Sequence, residues 1–591
     1  MMKTGRMEPS EQEALTVRPA AGPAAPLLDR LLGLTRLTEV LRSVGTGRAD
    51  FVAAVLAELG IAASWTDRDL ARVPTEGPLL VLANHPHGGA DGLVALDLLL
   101  RARADVRVLG NRLLGRIAGM RPWLIEVDPL RPGDGGANLG GLRRSLEHLR
   151  RGGCLLAFPS GEVASLRLAS LRVRDPRWSA HVVRLARSSA ARILPLHIGG
   201  RNRGVFQAAG LVHPRLRTAL LTREMLALRG KTLRVRAGAA MEPEALAKLP
   251  DDDDAAKALR LRSELLPHRP EEAPRARPAA RALAPLARET ASSLLRAELE
   301  SLPPECQLAS QGTFRVFCFR GEDLPHCMRE IGRLREITFR AVSEGSGLSA
   351  DLDAFDGWYE QLVAWDDAAG CLVGGYRVGA TDRILPARGK RGLYTSTLFD
   401  FRTDFFRRLD PALELGRSFI RPEYQRKAGT LPLLWRGIGR YVARNPRYHQ
   451  LFGPVSINPE YSPASRELML AWLRHNRGAR DLEGLVRAKN PPRQMSLDHA
   501  TVDLLRECAY DFEHMSGLVS EMEEDGKAVP VLLKHYLRLN GRLIGFNVDP
   551  SFGGCLDGLI VVDLTQADRR LLEAYLGQDG AASFLAHHDA A

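Results

Sequence analysis

The chain has 591 residues, a formal charge of +12 and an isoelectric point near 9.6. That length exceeds what one hydrophobic core ordinarily organises, so two or more domains are expected. Seven scattered cysteines without a CxxC pair exclude a disulfide framework and a zinc site and suit a reducing cytosol. No apolar run approaches the roughly 18–20 residues needed to span a bilayer. The surplus of arginine points to an anionic partner, with a general Arg/Ala composition bias as the alternative. No helix-turn-helix, zinc-finger or basic-aromatic ribonucleoprotein pattern is present, so nucleic acid is not expected as that partner.

Residues 1–26 are polar and Pro/Ala-rich, lack the pattern of a signal peptide, and read as a floppy tail. Residues 27–64 carry leucines three and four apart with Arg between them, which predicts two amphipathic helices that either touch a membrane surface or pack on the next domain. From 65 to 265, strand signals alternate with helical ones. The strands are expected at Pro78–Asn84, Val106–Asn111, Cys154–Pro159, Arg192–Ile198 and Leu233–Gly238. That order predicts an α/β domain with a largely parallel sheet. Residues 266–290 are rich in Pro, Ala and Arg and read as a linker. From 291 to 591 the order is mixed. "RVFCF", "CLVGGYRVG", "ALELGRSFI" and "QLFGPVSI" are strands, and "LPLLWRGIGRYVARNP" is a helix stopped by Pro446. "MREIGRLREITFRAV" is a helix with Ile331, Leu334, Ile337 and Phe339 on one side. This second domain is expected to be α+β around one sheet. Cys154, Cys318 and Cys371 lie in apolar runs and read as core residues.

The first strand ends in Asn84-His85, enters a Pro/Gly turn, and meets Asp91 at the head of a helical run. An imidazole at the carboxyl edge of an α/β sheet sits where such folds place ligands. A carboxylate on its other ring nitrogen fixes the tautomer and raises its basicity, giving a general base whose nucleophile is the substrate's own hydroxyl. The blander reading is a capping Asp beside a surface His, and His87, four before Asp91, is the alternative ring. Three further pieces follow in order: a strand ending at Asp128-Pro129; Phe158-Pro159-Ser160-Gly161-Glu162-Val163; and the strand bearing Leu194-Pro195-Leu196. Together, over roughly Pro78 to Ala240, they resemble the glycerolipid acyltransferase superfamily, which includes the 1-acylglycerol-3-phosphate acyltransferases. The resemblance implies acyl transfer from a thioester to a lipid hydroxyl, with His85 and Asp91 catalytic and Asn84, Ser160, Gly161 and Glu162 near the acceptor. The chain departs from the family pattern in two places. Five residues rather than four separate His85 from Asp91, and Ser-Gly-Glu-Val replaces the usual Glu-Gly-Thr-Arg. The loss of that Arg argues against a glycerol-phosphate acceptor.

In the second half, Glu414 on a central strand is a candidate acceptor for the proton of an attacking amine. Arg417 lies on the opposite face of a regular strand and reaches the same site only if a bulge re-aims it. Arg421, Arg426 and Lys427 form a basic run before the next helix. Asp353 and Asp356 in "DLDAFD" either meet a substrate amine or cap a helix. The stretches "LREITFRAVSEGSGLSADLDAFDGWYEQLVAWD", "GLYTSTLFDF", "LELGRSFIRPEYQR" and "PVLLKHYLRLNGRLIGFNVDPSFGGCLDGLIVVDL" are similar to the N-acyltransferase of bacterial ornithine lipid synthesis, over about Phe314 to Leu564. That family is akin to acyl-homoserine lactone synthases and to the acetyltransferase-like (GNAT-like) fold. "RKAGTLP" has one Gly where acetyl-CoA enzymes have a Gly-rich pyrophosphate loop. This favours an acyl carrier protein thioester over coenzyme A as donor, and a basic face suits an acidic carrier protein.

The layout resembles the bifunctional ornithine lipid synthases; the alternatives are an acyltransferase for another aminolipid, of glutamine, glycine or lysine, or a single active acyltransferase half joined to a binding module. The resemblance implies that the second domain joins a 3-hydroxyacyl chain to ornithine and that the first acylates the hydroxyl of the resulting lyso-lipid. Neither step needs a metal. Arg417, Arg421 and Arg426 are then substrate-binding candidates. The expected place of work is the cytoplasmic face of the inner membrane, with the enzyme held peripherally on an anionic surface.

Overall fold

The computed structural model describes residues 29–46, 49–127, 135–168, 171–270, 283–427, 429–493, 497–508 and 511–589. The expected tail at 1–26, the Asp128-Pro129 turn and most of the expected linker lie outside them. The chain forms two compact units: residues 1–271 with 498–514, and residues 272–497 with 515–591. Among the described residues no helix is long and apolar enough to cross a membrane.

The first unit is built on a seven-stranded sheet. Its strands are β1 (Ala62–Ser64), β2 (Leu79–Ala83), β3 (Val106–Asn111), β4 (Leu124–Val127), β5 (Cys154–Ala157), β8 (Arg192–Ile198) and β9 (Thr232–Ala237), in the order β1-β9-β8-β2-β5-β3-β4. Two short strands, β6 (Ser165–Arg167) and β7 (Arg172–Arg174), make a separate hairpin. Every pairing in the large sheet is parallel except β8 with β9. The unbroken apolar run of β2 has the composition a doubly covered parallel strand requires, and all five of its residues are buried. Helices α1 (Leu34–Val44) and α2 (Phe51–Leu59) turn Leu37, Val40, Leu41, Phe51, Val52, Val55 and Leu56 into the same core. The apolar face of these helices is therefore covered by their own domain rather than left for a lipid surface.

One stretch of the second half returns to the first unit. Helix His499–Cys508 belongs there, and Asp498 just before it accepts from Arg172 (2.9 Å) and Arg174 (2.5 Å). The uninterrupted 291–591 domain expected from sequence is departed from at this point.

The second unit holds an eight-stranded sheet, β10-β11-β12-β13-β15-β16-β19-β18. The strands are β10 (Gln307–Gln311), β11 (Phe314–Arg320), β12 (Glu360–Asp366), β13 (Cys371–Ala380), β15 (Ala412–Ile420), β16 (Gln450–Ile457), β18 (Arg542–Asp549) and β19 (Cys555–Asp563). A small second sheet pairs β14 (Phe399–Phe401) with β17 (Val486–Ala488). The one parallel pair of the large sheet, β15 with β16, holds only from Ala412–Gln450 to Glu414–Phe452. Beyond that point β15 continues against β13 alone and β16 against β19 alone, so the two strands part into a wedge.

The long helix Pro325–Ala341 corrects one expectation. Ile331 and Leu334 are in the core, but Ile337 and Phe339 are only half-buried, while Arg335 and Glu336 are buried. The reason is pairing. Arg335 donates to Asp356 and Gln361 (both 2.8 Å), and Glu336 accepts from Arg340, Ser346 and Gly347. Of the three cysteines assigned to the core, Cys154 and Cys318 are buried and Cys371 is half-buried.

Candidate active sites of the two units

Because β2, β5 and β8 run parallel, their carboxyl ends open at the same edge of the sheet. The end of β2 supplies Asn84 and His85, that of β5 supplies Phe158, and that of β8 supplies Ile198 and Gly199. Asn84 locks two of these ends together. Its amide donates to the Ile198 carbonyl (2.9 Å), and its side-chain oxygen accepts from the Ile198 N–H (2.6 Å). The Phe158 ring lies 4.4 Å from the His85 ring.

His85 Nδ1 is 2.9 Å from Asp91 Oδ2, and the Asp91 side chain is fully buried. The same oxygen accepts the backbone N–H groups of His87 and Gly88, each at 2.8 Å. Asp91 thus caps helix α3 (Gly89–Ala102) and also stands beside the imidazole. Gly88 at φ 92° makes the turn that accommodates the extra residue between His85 and Asp91. His87 is a packed ring. Its Nε2 sits 3.1 Å from the Gly199 carbonyl, against Gly200, where a Cβ would stand 2.5 Å from that nitrogen.

Two residues that sequence reasoning missed complete this site. Asp175 accepts the His85 N–H (3.1 Å) and the Trp178 indole N–H (3.1 Å), and its burial raises it to about 6. Arg217 donates to Glu162 (2.8 Å) and supplies a guanidinium beside the loop whose sequence lacks the family's Arg. The Ser160 hydroxyl donates to the Glu162 carbonyl (2.8 Å), and Gly161 has φ 65°, so the Ser160–Glu162 turn is locally braced. Nothing in the local sequence around Asn84 and His85 points to Asp175. The Asp-Pro that ends the 165–174 hairpin was its only signal.

In the second unit Glu414 is buried on β15 and closed in. It accepts from the Tyr359 hydroxyl, from the Thr395 N–H (2.6 Å) and from the Tyr394 N–H (3.1 Å), and burial raises its pKa. It anchors the Tyr394–Thr397 turn rather than standing open to an incoming amine. Three residues on, the strand bulges. Gly375 faces Phe419 and Arg377 faces Gly416, so Arg417 and Ser418 oppose Tyr376 alone, and Arg417 takes φ 49°. The bulge places the Arg417 guanidinium over Tyr394 (4.9 Å) and Phe552 (4.4 Å), within 3.3 Å of both Asp351 and Asp353.

Around Arg417 carboxylates outnumber cations. Glu344, Asp351, Asp353, Asp356, Asp549 and Asp557 face Arg335, Arg377 and Arg417. Burial, reinforced by Asp549, raises Asp557 to about 7, even though Ser456 donates to it at 2.7 Å. Burial, with Asp557 and Glu460 adding repulsion, raises Glu344 to about 8. Asp557 stands in the apolar run "CLDGLIVV", and a lone carboxylate in a buried strand was the sequence signal for it. Asp353 and Asp356 do cap the turn at Ala354–Gly357, and the same carboxylates also pair with Arg377. Arg421 is paired with Glu289 (3.2 Å) and Glu423 (3.1 Å), whereas Arg426 and Lys427 are exposed ahead of helix Thr430–Arg444.

Comparison with known proteins agrees with this division. Residues 17–267 match the family described as "Acyltransferase", and residues 334–436 match "Acetyltransferase (GNAT) domain". The chain is similar to a "Glycine N(alpha)-acyltransferase" of Bacteroides thetaiotaomicron, 33% identical over 294 residues, 47% of this chain and 86% of that protein. It is also similar to an "L-ornithine N(alpha)-acyltransferase" of Brucella abortus, 30% identical over 277 residues, 46% of this chain and 84% of that protein. A "Lyso-glycine lipid O-acyltransferase" of Bacteroides thetaiotaomicron is 28% identical over 142 residues, covering 24% of this chain and about half (49%) of that protein.

Proposed function

Because this chain belongs to the amino-acid N(α)-acyltransferase family and carries an acyltransferase domain ahead of it, we propose that it makes a diacylated aminolipid in two steps on one polypeptide. The second unit acylates the α-amine of an amino acid with a 3-hydroxyacyl thioester. The first unit then acylates the hydroxyl of that lyso-lipid. The observation that carries the reading is the His85–Asp91 pair at the open edge of the sheet, 2.9 Å apart and backed by a buried carboxylate.

In the first unit, His85 takes the proton of the acceptor hydroxyl as its oxygen bonds to the thioester carbonyl carbon. Asp91 stabilises the imidazolium. As the C–S bond breaks, the departing thiolate recovers the proton. Asn84, Ser160, Gly161 and Glu162, with Arg217 on Glu162, line the acceptor side.

In the second unit the attacking α-amine must shed a proton. The groups poised near neutrality are Asp557 and Glu344, and a pKa near the working pH suits a proton acceptor. Glu414 acts as a positioning residue for the turn that carries Tyr394. Arg417 meets the amino acid's carboxylate, and the wedge between β15 and β16 takes the thioester arm. The donor is an acyl carrier protein, whose acidic face suits the exposed Arg426 and Lys427 that follow β15 in the chain. Acyl-CoA offers the same thioester.

The amino acid we propose is ornithine. Burial holds Glu344 and Asp557 near the protonated form beside Asp351, Asp353, Asp356 and Asp549, and a second ammonium placed among them would favour their charged forms. Glycine is the second reading, favoured by the relatives of that name. The enzyme works peripherally on the cytoplasmic face of the inner membrane.

The test is expression in a host that lacks aminolipids, followed by lipid extraction. Wild type should give a diacylated lipid whose headgroup mass distinguishes ornithine from glycine. His85→Ala should stop at the mono-acylated amine, and Arg417→Ala should reduce both products. Full diacyl product from His85→Ala would refute the assignment of the first unit.

A further inference from the structure

With the apolar faces of α1 and α2 turned into the core, the exposed apolar side chains of the first unit gather elsewhere. Of its eight large exposed apolar residues among those described, Leu31 and Leu139 lie on other elements of the chain. The other six, Leu168, Leu171, Val205, Leu211, Val212 and Leu216, are between 49% and 76% exposed. They belong to the hairpin β6–β7, to α4 (Gly204–Val212) and to α5 (Pro214–Ala219).

These elements are tied to one another and to the rim of the His85 site. The Leu166 N–H of β6 donates to Gln207 of α4 (2.9 Å). Arg217 of α5 holds Glu162 of the Ser160–Glu162 turn. Leu221, opening α6 (Leu221–Leu226), sits against Gly88, where a Cβ would lie 3.0 Å from its methyl.

The same surface is strongly basic. Between Gly199 and Lys231 the sequence holds seven Arg or Lys and one acid, Glu224, which is buried on Arg203 (2.9 Å). Of the three Arg in residues 163–174, Arg172 and Arg174 are paired with Asp498, and Arg167 is left exposed. Arg167, Arg201 and Arg223 are exposed.

We propose that the β6–β7 hairpin with α4 and α5 is the membrane-docking face of this enzyme, and that its occupant is an anionic lipid bilayer. Apolar side chains beside exposed arginines such as Arg167, Arg201 and Arg223 are the combination that enters a headgroup layer of opposite charge. The position explains the purpose. The acceptor hydroxyl sits on a single-chain lipid, and a bilayer met at the rim of the His85 edge delivers it without extracting the chain into water. This rests on the O-acylation reading given above for the first unit.

The experiment is flotation of the purified full chain with vesicles of phosphatidylcholine alone or mixed with phosphatidylglycerol, alongside both activities. Wild type should float with the anionic vesicles only, and salt should release it. L211E/V212E should weaken binding by about tenfold or more. R201Q/R223Q should weaken it by about fivefold per charge and flatten the salt dependence. Both variants should keep wild-type N-acylation and O-acylation of a short-chain, water-soluble acceptor, and lose O-acylation of an acceptor embedded in vesicles. Wild-type-like flotation of both variants would overturn the proposal. So would loss of a self-associated form in L211E/V212E with lipid binding intact, which would mark the patch as a surface for a second copy. If wild type binds vesicles through this face but acylates no hydroxyl, the O-acylation reading fails and the docking face stands.

Discussion

Replacing Asp91 by Asn tests the first site at its most constrained atom. One oxygen, Oδ2, faces His85 Nδ1 at 2.9 Å and accepts two backbone N–H groups at 2.8 Å. In the transition state the imidazole is protonated. Opposite charges 2.9 Å apart attract by about 6 kcal/mol at an effective dielectric near 20. A neutral amide keeps only part of that. Loss of half to all of it corresponds to a fall of about 10²- to 10⁴-fold in the O-acylation rate. The two N–H groups exchange a charged acceptor for a neutral one, at about 1 kcal/mol each, so stability should fall by only about 2 kcal/mol. The assay is acyl transfer from a thioester to a lyso-aminolipid. N-acylation by the same chain reports on the integrity of the second unit, and thermal unfolding reports on the fold. A folded Asp91→Asn enzyme that O-acylates within about threefold of wild type would refute the dyad, because no general-base scheme tolerates losing the charge that stabilises its conjugate acid.

Three further outcomes are expected. Asn84→Ala removes both bonds to Ile198 and should destabilise the first unit by about 2–3 kcal/mol in urea unfolding while depressing O-acylation and sparing N-acylation. Glu414→Gln should leave O-acylation of a supplied lyso-lipid intact and cut N-acylation by about tenfold or more, through the Tyr394–Thr395 turn. Unchanged N-acylation would remove Glu414 from that role. Asp557 is raised from 3.8 to about 7, so the folded state holds a proton that the unfolded chain has released. Stability should therefore fall as pH rises from about 4 to about 7, by up to about 4 kcal/mol, and Asp557→Asn should flatten that slope in unfolding measured across the range. A saturating cationic amino acid should restore stability at the upper end for wild type and not for Asp557→Asn.

The strand-turn-helix that carries Asn84, His85 and Asp91 was legible because its information is local. Five consecutive apolar residues make a buried strand, a Gly-Gly turn follows, and a carboxylate at the third helical position can reach back to the turn. The same holds for β15 and β16, whose boundaries agree with the apolar runs "ALELGRSFI" and "QLFGPVSI". Residues whose meaning depends on distant partners were not legible. Arg417 could be named from the sequence only on condition of a bulge, which the pairing with β13 supplies, and Glu414 is closed in by a turn 19 residues earlier. Arg335 and Glu336 look like the polar side of a helix until their buried partners are placed beside them.

Sequence alone thus determined the two acyltransfer domains and the histidine-aspartate pair, since hydrophobic period and turn chemistry act over a few residues. Tertiary structure decided which carboxylates are poised near neutrality, which arginine enters the second site, and which apolar surface remains open. Desolvation, charge pairing and exposure are properties of neighbours brought together from far along the chain, as Asp557 with Arg417 and Arg217 with Glu162 illustrate.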